Sequence, residues 1–348
     1  MEKTDILSLS KEELEEKILA MGEKKFRAGQ IYDWLHINKV EEFSKMTNLS
    51  AQLREKLDDI FWINSLKIQK RLVSDIDNTV KYLYGLSDGE KVETVLMEYK
   101  HGNSICISTQ VGCKMGCKFC ASTKAGFVRN LEPSEMLLQI YESERDSGRK
   151  INHVVLMGIG EPLDNFENTV KFLKNVSEKG GLNVSQRNIS LSTCGLAPKI
   201  YELADGGFSI NLTISLHSPF DEKRKNIMPV AKRYSVREIL NACAYYFEKT
   251  GRRYIFEYVL IEGENDTKEC ADELIRLLKG RPCHVNLIRL NEVKEKKLKA
   301  VTDKNAYRFL GLLERGGLSA TLRRQIGADI EGACGQLRQK YMESGERL

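Results

Sequence analysis

Three cysteines are the residues whose types and spacing most clearly indicate chemistry. Cys113, Cys117 and Cys120 follow the pattern C-x3-C-x2-C. A structural zinc normally takes four protein ligands, whereas three thiolates on a four-iron, four-sulfur cluster leave one iron open for a substrate or cofactor. The spacing therefore favours an iron-sulfur cluster over a structural zinc. Cys106 is a less suitable fourth ligand because it lies on the preceding predicted strand.

Small polar groups follow the later predicted strands. Gly160 and Glu161 lie in a glycine-rich turn, where exposed backbone and a carboxylate could hold an ammonium group. The ends of the other strands carry groups suited to ribose and carboxylate oxygens. They are Ser192, the segment Ser215, Leu216 and His217, and Asn291. Taken singly, each residue is also explained by strand-end capping. Their equivalent positions in the pattern favour a shared binding site.

Strands and helices alternate along most of the chain, which positions these residues. The predicted strands are residues 105–109, 153–157, 188–192, 211–216, 253–260 and 284–290, each followed by a helical stretch. This alternation predicts an α/β fold with a parallel sheet, and six units indicate an incomplete (β/α)6 barrel. In such barrels the chemistry takes place at the carboxyl ends of the strands.

Two smaller units precede the barrel. Residues 1–65 predict a small helical domain, with Ser10 capping the first helix, and residues 66–103 predict a short linking β-sheet with a hairpin at residues 87–89. The barrel then occupies residues 104–348. The charges of the helical domain are mixed in sign, which suits a packed accessory unit.

The amino-acid composition limits the class of protein and its location. The chain has 348 residues, of which 41% are hydrophobic, and its net charge is +5, a weak indication of a polyanionic partner. No signal peptide or membrane-spanning run is apparent, which favours the cytoplasm. The nine cysteines are spaced unlike a secreted disulfide framework. Outside the active-site motifs we assign a packing role to Cys194, Cys243, Cys270 and Cys283.

The cysteine motif, with an aromatic Phe119 before its third cysteine, resembles the radical S-adenosylmethionine (SAM) superfamily. Within it, residues 92–95, 106–113, 126–131 and 333–336 resemble the bacterial dual-specificity ribosomal and transfer RNA adenine-C2 methyltransferases. The resemblance implies a 4Fe-4S cluster on the three cysteines and two molecules of SAM per turnover. It also implies that the polar strand-end residues bind SAM and that the barrel is a radical SAM barrel.

The resemblance implies three catalytic residues. Cys334 accepts a methyl group, which becomes a radical that adds to the electron-poor carbon 2 of adenine. Glu93 then removes the proton from that carbon, and Cys106 attacks the sulfur of Cys334 to form a disulfide and release the RNA. Without the resemblance, a solvated Glu93 and two buried, inert thiols would be the expected reading.

The implied partners are RNA, which we expect the helical domain of residues 1–65 to help bind, and an electron donor. The substrates would be an adenosine in the peptidyl transferase centre of 23S rRNA and the adenosine 3′ of the anticodon in tRNA, each flipped out of its stack. Candidate phosphate contacts are Lys118, Arg129, Arg323 and Arg324. A flavodoxin or ferredoxin would supply electrons, and we expect a monomer with no membrane partner.

Two alternatives stay open from the sequence. One is the related resistance methyltransferase that acts on carbon 8 of the same ribosomal adenine and differs, as we interpret the family, at the positions of Phe127 and Arg129. The other is a non-catalytic RNA-binding protein with a structural metal, which leaves Cys334 unexplained.

Overall fold

The computed structural model describes residues 3–124, 126–291 and 298–330. Its first elements are β1 (Thr4–Asp5), α1 (Lys11–Ala20), α2 (Phe26–His36), α3 (Ala51–Ile60) and β2 (Phe61–Trp62). Ser10 starts α1 through a capping box with Glu13, since each side chain accepts the other residue's backbone N–H. The predicted N-terminal helices are confirmed. No helix of the described residues is long and apolar enough to span a membrane.

Three antiparallel strands follow, namely β3 (Lys67–Val73), β4 (Val80–Gly85) and β5 (Lys91–Tyr99). The predicted hairpin between β4 and β5 is confirmed. These strands are not a separate linking sheet, however. A tight turn between Tyr99 and Gly102, which pair with each other, leads β5 into β6 (Gly102–Cys106), so the three strands continue the barrel sheet.

The barrel elements follow β6 in alternation. They are β7 (Gln110–Gly112), β8 (Phe127–Asn130), α4 (Pro133–Ser147), β9 (Ile151–Leu156), α5 (Phe166–Ser177), β10 (Ile189–Thr193), α6 (Ala197–Asp205), β11 (Asn211–Ser215), α7 (Asp221–Ile227), α8 (Val236–Thr250), β12 (Tyr254–Leu260), α9 (Lys268–Leu278), β13 (Cys283–Arg289), α10 (Asp303–Arg315) and β14 (Ala320–Leu322). All six predicted strands are present as parallel neighbours, although the first lies at Gly102–Cys106 and ends three residues earlier than predicted. The strand β14 adds an unpredicted seventh.

The two faces of the sheet differ in polarity. Leu191, Leu212 and Ile214 are fully buried in the main core, while Ser192 and Ser215, which directly follow Leu191 and Ile214, are partly exposed. Successive side chains of a strand point to opposite faces of the sheet. One face of the sheet therefore packs against the helices, and the other presents polar side chains.

The polar face is concave. Ser192 on β10 donates to the Glu257 carboxylate on β12 at 3.2 Å. These strands are separated by β11, and in a flat sheet they would lie about 9–10 Å apart. The curvature brings side chains from distant strands together, as the predicted incomplete barrel requires.

The chain after β14 crosses to the opposite edge of this sheet. The backbone N–H of Gly327 donates to the Asp77 carboxylate at 2.9 Å, and Asp329 accepts hydrogen bonds from Ser74 and from the N–H of Asp75. Asp75 and Asp77 lie in the turn between β3 and β4. The two ends of the ten-stranded sheet are thereby linked.

Candidate active site at the carboxyl edge of the barrel

The loop with the three motif cysteines begins directly after β7. Gly112 precedes it with a φ of +77°, and a Cβ atom there would lie 1.8 Å from the carbonyl oxygen of Gly126. The N–H of Cys113 donates to that same carbonyl at 3.0 Å, and the N–H of Lys118 donates to the carbonyl of Ile227 at 2.9 Å. The loop is therefore held between β8 and the end of α7, and only glycine fits at its entrance.

The three motif cysteines lie close to one another. Cys113 and Cys117 are each 8% exposed, and Cys120 is half-buried. Burial raises the pKa of the Cys113 thiol to about 12, and it raises the pKa of Cys117 with further increases from the Cys120 and Cys113 thiols. Buried thiols stay protonated unless a metal replaces the proton, and iron supplies that positive charge. The donor set therefore fits a metal cluster.

The surroundings of the thiols are apolar. Cys117 packs with Met228, Val230, Val259 and Leu290. Within the described ranges, no three His, Cys, Asp or Glu side chains are grouped closely enough to bind one metal ion. A four-iron cluster does not require such a group, because each of its cysteines binds a different iron atom.

The glycine-rich turn after β9 packs against the strand that leads to the cysteines. A Cβ atom on Gly158 would lie 2.5 Å from the carbonyl oxygen of Ile107, and one on Gly160 would lie 2.7 Å from the backbone nitrogen of Gln110. The φ of Gly160 is +115°, a value that side chains disfavour. Glycine is thus required at both positions for the close approach of the two backbones.

Glu161 is buried at this turn. Its carboxylate accepts the N–H of Leu163 at 3.0 Å and the N–H of Cys194 at 2.7 Å, which joins the loops after β9 and β10. Burial raises the pKa of Glu161, and the hydrogen bond from Cys194 opposes that rise. The side chains of Thr193 and Cys194 also hydrogen-bond to this carboxylate, so it is held firmly in place between the two loops.

Cys106 and a buried carboxylate share the concave face. Glu257 accepts a hydrogen bond from Ser192, and its Oε1 lies 3.7 Å from a guanidinium nitrogen of Arg323. Burial raises the pKa of the Cys106 thiol to about 11, while the charge of Arg323 lowers it and those of Glu257 and Glu93 raise it. Cys106 therefore lies within electrostatic reach of side chains from β5, β12 and the segment after β14.

His217 follows Ser215 and Leu216 at the end of β11. Its backbone has a φ of +57°, and its Nδ1 accepts the N–H of Val259 at 3.0 Å. Burial lowers the pKa of the imidazole to about 3, so the ring is neutral and its Nε2 carries the proton. The Phe119 ring contacts it edge-on at 4.7 Å between centroids. This contact links the predicted SAM-binding strand end to the cysteine loop.

Glu93 is buried on β5, only 2% exposed. Its Oε2 lies 3.1 Å from the Nζ of Lys81 on β4, a side chain with no exposed surface. The expectation of a solvated Glu93, which the sequence gives without the resemblance, is wrong. Asn291 is exposed just after β13, and Cys334 lies outside the described residues.

The candidate phosphate contacts fall into two groups. Arg129 donates both guanidinium ends to Glu135 and also contacts Asp88. Arg323 is directed towards Glu257, so these two arginines are engaged with carboxylates of the chain itself. Lys118 and Arg324 are exposed.

Three charged residues of the site were missed from the sequence. Lys81 and Glu257 each lie within an otherwise apolar strand, and a charge at such a position was the available signal. Arg224 is fully buried and donates to the carbonyl oxygens of Cys194 and Leu216 at 2.7 and 3.0 Å. It lies on a short polar helix, α7, where nothing in the sequence distinguishes it from a solvated arginine.

Comparisons with known proteins agree with this geometry. The radical SAM superfamily model matches residues 107–278, and the ribosomal RNA large subunit methyltransferase N-terminal domain matches residues 4–63. A radical SAM methyltransferase from Sphaerobacter thermophilus has a crystal structure with a TM-score of 0.90 and 39% identity, covering 96% of this chain and 98% of that one. The fold and site define a SAM-dependent radical methyltransferase, a class that uses a 4Fe-4S cluster.

Proteins of similar sequence narrow the class of methyltransferase further. The probable dual-specificity RNA methyltransferase RlmN of Lachnoclostridium phytofermentans is 53% identical over 342 residues, which cover 98% of this chain and 96% of that protein. The corresponding protein of Clostridioides difficile is 50% identical over 343 residues, covering 98% and 100%. The chain belongs to the RlmN family of dual-specificity RNA methyltransferases. The resemblance stated from the sequence is confirmed.

Proposed function

We propose that the chain transfers a methyl group to carbon 2 of an adenine, in 23S rRNA and in tRNA. The observation that supports this most directly is the placement of Glu93 and Cys106, which lie on neighbouring strands and influence each other electrostatically. Carbon 2 lies between two ring nitrogens and is too electron-poor to attack a sulfonium methyl group. Its methylation therefore needs a radical, and Glu93 and Cys106, a carboxylate and a thiol on adjacent strands, would serve as the base and the nucleophile that complete the transfer.

We infer that Cys113, Cys117 and Cys120 hold the cluster. The SAM-binding positions would be Gly160, Glu161, Ser192, Ser215, Leu216, His217 and Asn291. When bound, the cluster and two SAM molecules supply the methyl group and the radical that activates it. The Nε2–H of the neutral His217 is available as a hydrogen-bond donor, since its Nδ1 is already occupied.

Residues of the protein itself carry out the remaining steps of the methyl transfer. Cys334 carries the methyl carbon and becomes joined through it to carbon 2 of the adenine. Glu93 accepts the proton from carbon 2, and the unpaired electron that radical addition leaves on the ring would return to the cluster, so that the ring becomes aromatic again. The Cys106 thiolate then attacks the sulfur of Cys334. The carbon–sulfur bond breaks, a sulfur–sulfur bond forms, and the released carbon keeps the electron pair and takes up a proton to become a methyl group.

RNA would approach the carboxyl edge of the barrel with the target adenosine flipped out. Lys118 and Arg324 are exposed and suit phosphate contacts. Residues 1–65 would act as an RNA-binding accessory domain beside the linking strands and barrel. One groove on this domain is lined by Glu41, Glu55 and Asp58, and its negative charge would repel phosphates, so RNA would contact another face. We further propose a cytoplasmic monomer reduced by flavodoxin or ferredoxin.

The test uses anaerobically reconstituted protein with a reductant and SAM whose methyl group carries three deuteriums. After reaction with a ribosomal RNA fragment or tRNA, the nucleosides are analysed by mass spectrometry. We expect 2-methyladenosine with two of the deuteriums from SAM, and no product from the Cys334→Ala variant. Metal analysis of the same protein should find iron and sulfide.

Four outcomes would contradict the proposal. A methyl group with all its deuteriums, or full activity in Cys334→Ala, would mean direct transfer. Methylation mainly at carbon 8 would assign the chain the activity of the resistance enzymes. Zinc without SAM cleavage would favour a binding protein.

A further inference from the structure

Lys81 forms a buried ion pair with Glu93 on the concave face of the barrel. Its Nζ lies 3.1 Å from Glu93 Oε2, and the two side chains are 0% and 2% exposed. In the antiparallel register Lys81 pairs with Val95 and Leu83 pairs with Glu93, so the two charged residues are diagonal neighbours. Alternate residues of a strand share a face, which places Lys81, Glu93 and Val95 on one side of the sheet.

The backbone around Glu93 is fixed to the rest of the site. Its carbonyl oxygen accepts the Ser108 hydroxyl at 2.7 Å, and that hydroxyl oxygen also accepts the N–H of Ile159 at 3.1 Å. The N–H and carbonyl of Ser108 are both hydrogen-bonded to the Gln139 side chain. Glu93 is therefore held at a constant distance from the glycine-rich turn and from the strand that leads to the cysteines.

A carboxylate this deeply buried needs a counter-charge. Burial of a charged group without a partner favours its neutral form, and a protonated carboxylic acid cannot act as a base. The ammonium group of Lys81 supplies the counter-charge at hydrogen-bonding distance. Its stem is fully enclosed, so the ammonium group has little freedom to leave the carboxylate.

We propose that Lys81 is a positioning residue that keeps Glu93 ionised and aimed at carbon 2 of the adenine. The inference rests on the proposed function, in which Glu93 is the base. In that step the C2–H bond breaks, an O–H bond forms on Glu93, and the electron pair stays with the purine ring. Lys81 keeps its own protons throughout, so it acts only through Glu93.

The experiment follows the proton transfer alone. In a Cys106→Ala background the RNA–protein adduct cannot be resolved by a disulfide, so it accumulates. RNA with deuterium at carbon 2 of the target adenine then reports on the base, because the adduct loses deuterium only when Glu93 has acted. Mass spectrometry of the digested adduct measures the deuterium retained as a function of time and pH.

We expect Lys81→Met to slow deuterium loss roughly 10- to 100-fold at neutral pH, which is less than the full contribution of a general base because Glu93 itself remains. The deficit should shrink as the pH is raised, because a buried carboxyl group that has lost its counter-charge ionises only at higher pH. Glu93→Gln should retain deuterium at every pH. Lys70→Met, which removes an exposed lysine from the neighbouring strand β3, should behave like the parent.

A second variant, which keeps the positive charge at position 81, provides a test in case Lys81→Met does not fold. Lys81→Arg should fold and keep the parent's pH profile, even with a lower rate, so it tests the role of charge if Lys81→Met does not fold. Deuterium loss at the parent rate in Lys81→Met, or a profile shifted to high pH in Lys81→Arg, would overturn the role of Lys81. Normal deuterium loss in Glu93→Gln, or no adduct in the background protein, would instead contradict the proposed function.

Discussion

The reactivity of Cys106 should depend steeply on pH and on one arginine. Burial raises the pKa of its thiol to about 11 from an ordinary value of 9.0. At pH 8 a thiol with that pKa is ionised in roughly one molecule in a thousand, and the fraction rises tenfold per pH unit. Since the thiolate is the nucleophile, both alkylation of Cys106 and release of the RNA should accelerate with pH up to that value.

Arg323 partly determines the pKa of Cys106. Its charge lowers the pKa of Cys106, and it also faces Glu257, whose negative charge raises the pKa. Replacement by methionine removes the first effect and exposes the second, so both changes reduce the thiolate fraction. Because the Arg323 side chain is 42% exposed, solvent screening should limit the loss to about threefold to tenfold at pH 8.

The assay is alkylation with iodoacetamide between pH 7 and pH 11, with the Cys106 peptide quantified by mass spectrometry. Arg324→Met is the matched control, since Arg324 is adjacent and exposed but is not among the main influences on the pKa of Cys106. A midpoint near the ordinary thiol value, or equal alkylation rates in the Arg323→Met and Arg324→Met variants, would refute the reasoning.

Three further predictions concern stability and the metal site. Burial lowers the pKa of His36 in the folded protein to about 3, so as the pH falls the unfolded chain takes up a proton before the folded one. The free energy of unfolding should therefore decrease below about pH 6.5, by up to ~1.4 kcal/mol per pH unit. Equal urea midpoints at pH 5 and pH 7 would contradict this. Arg224→Met should lower the free energy of unfolding by about 2–4 kcal/mol, because it leaves buried carbonyl oxygens without donors, while the exposed Arg233→Met should have little effect in the same urea titration. Gly112→Ala should reduce the iron bound per chain after reconstitution, because the added Cβ would displace the start of the cysteine loop. The control is Gly22→Ala, since Gly22 has a similar φ but open space around it. Equal iron content in the two variants would argue against the steric explanation.

Local patterns determined much of this protein from the sequence alone. The spacing of the three cysteines, the alternation of six strands with helices and the Ser10 cap each depend on residues that are neighbours along the chain, so each could be interpreted without coordinates. The continuation of the barrel sheet into β3, β4 and β5 was not predicted, because a hairpin pattern does not reveal which strand its outer edge pairs with.

Only the tertiary structure decided which charges meet. Lys81 and Glu93 come together through a strand register, and Ser192, Glu257 and Arg323 come together because the sheet curls enough to join strands that are not neighbours. Register and curvature are set by packing of the whole sheet against its helices, and no short stretch of sequence encodes them. The sequence therefore predicted which groups react, while the fold determined which charges surround them.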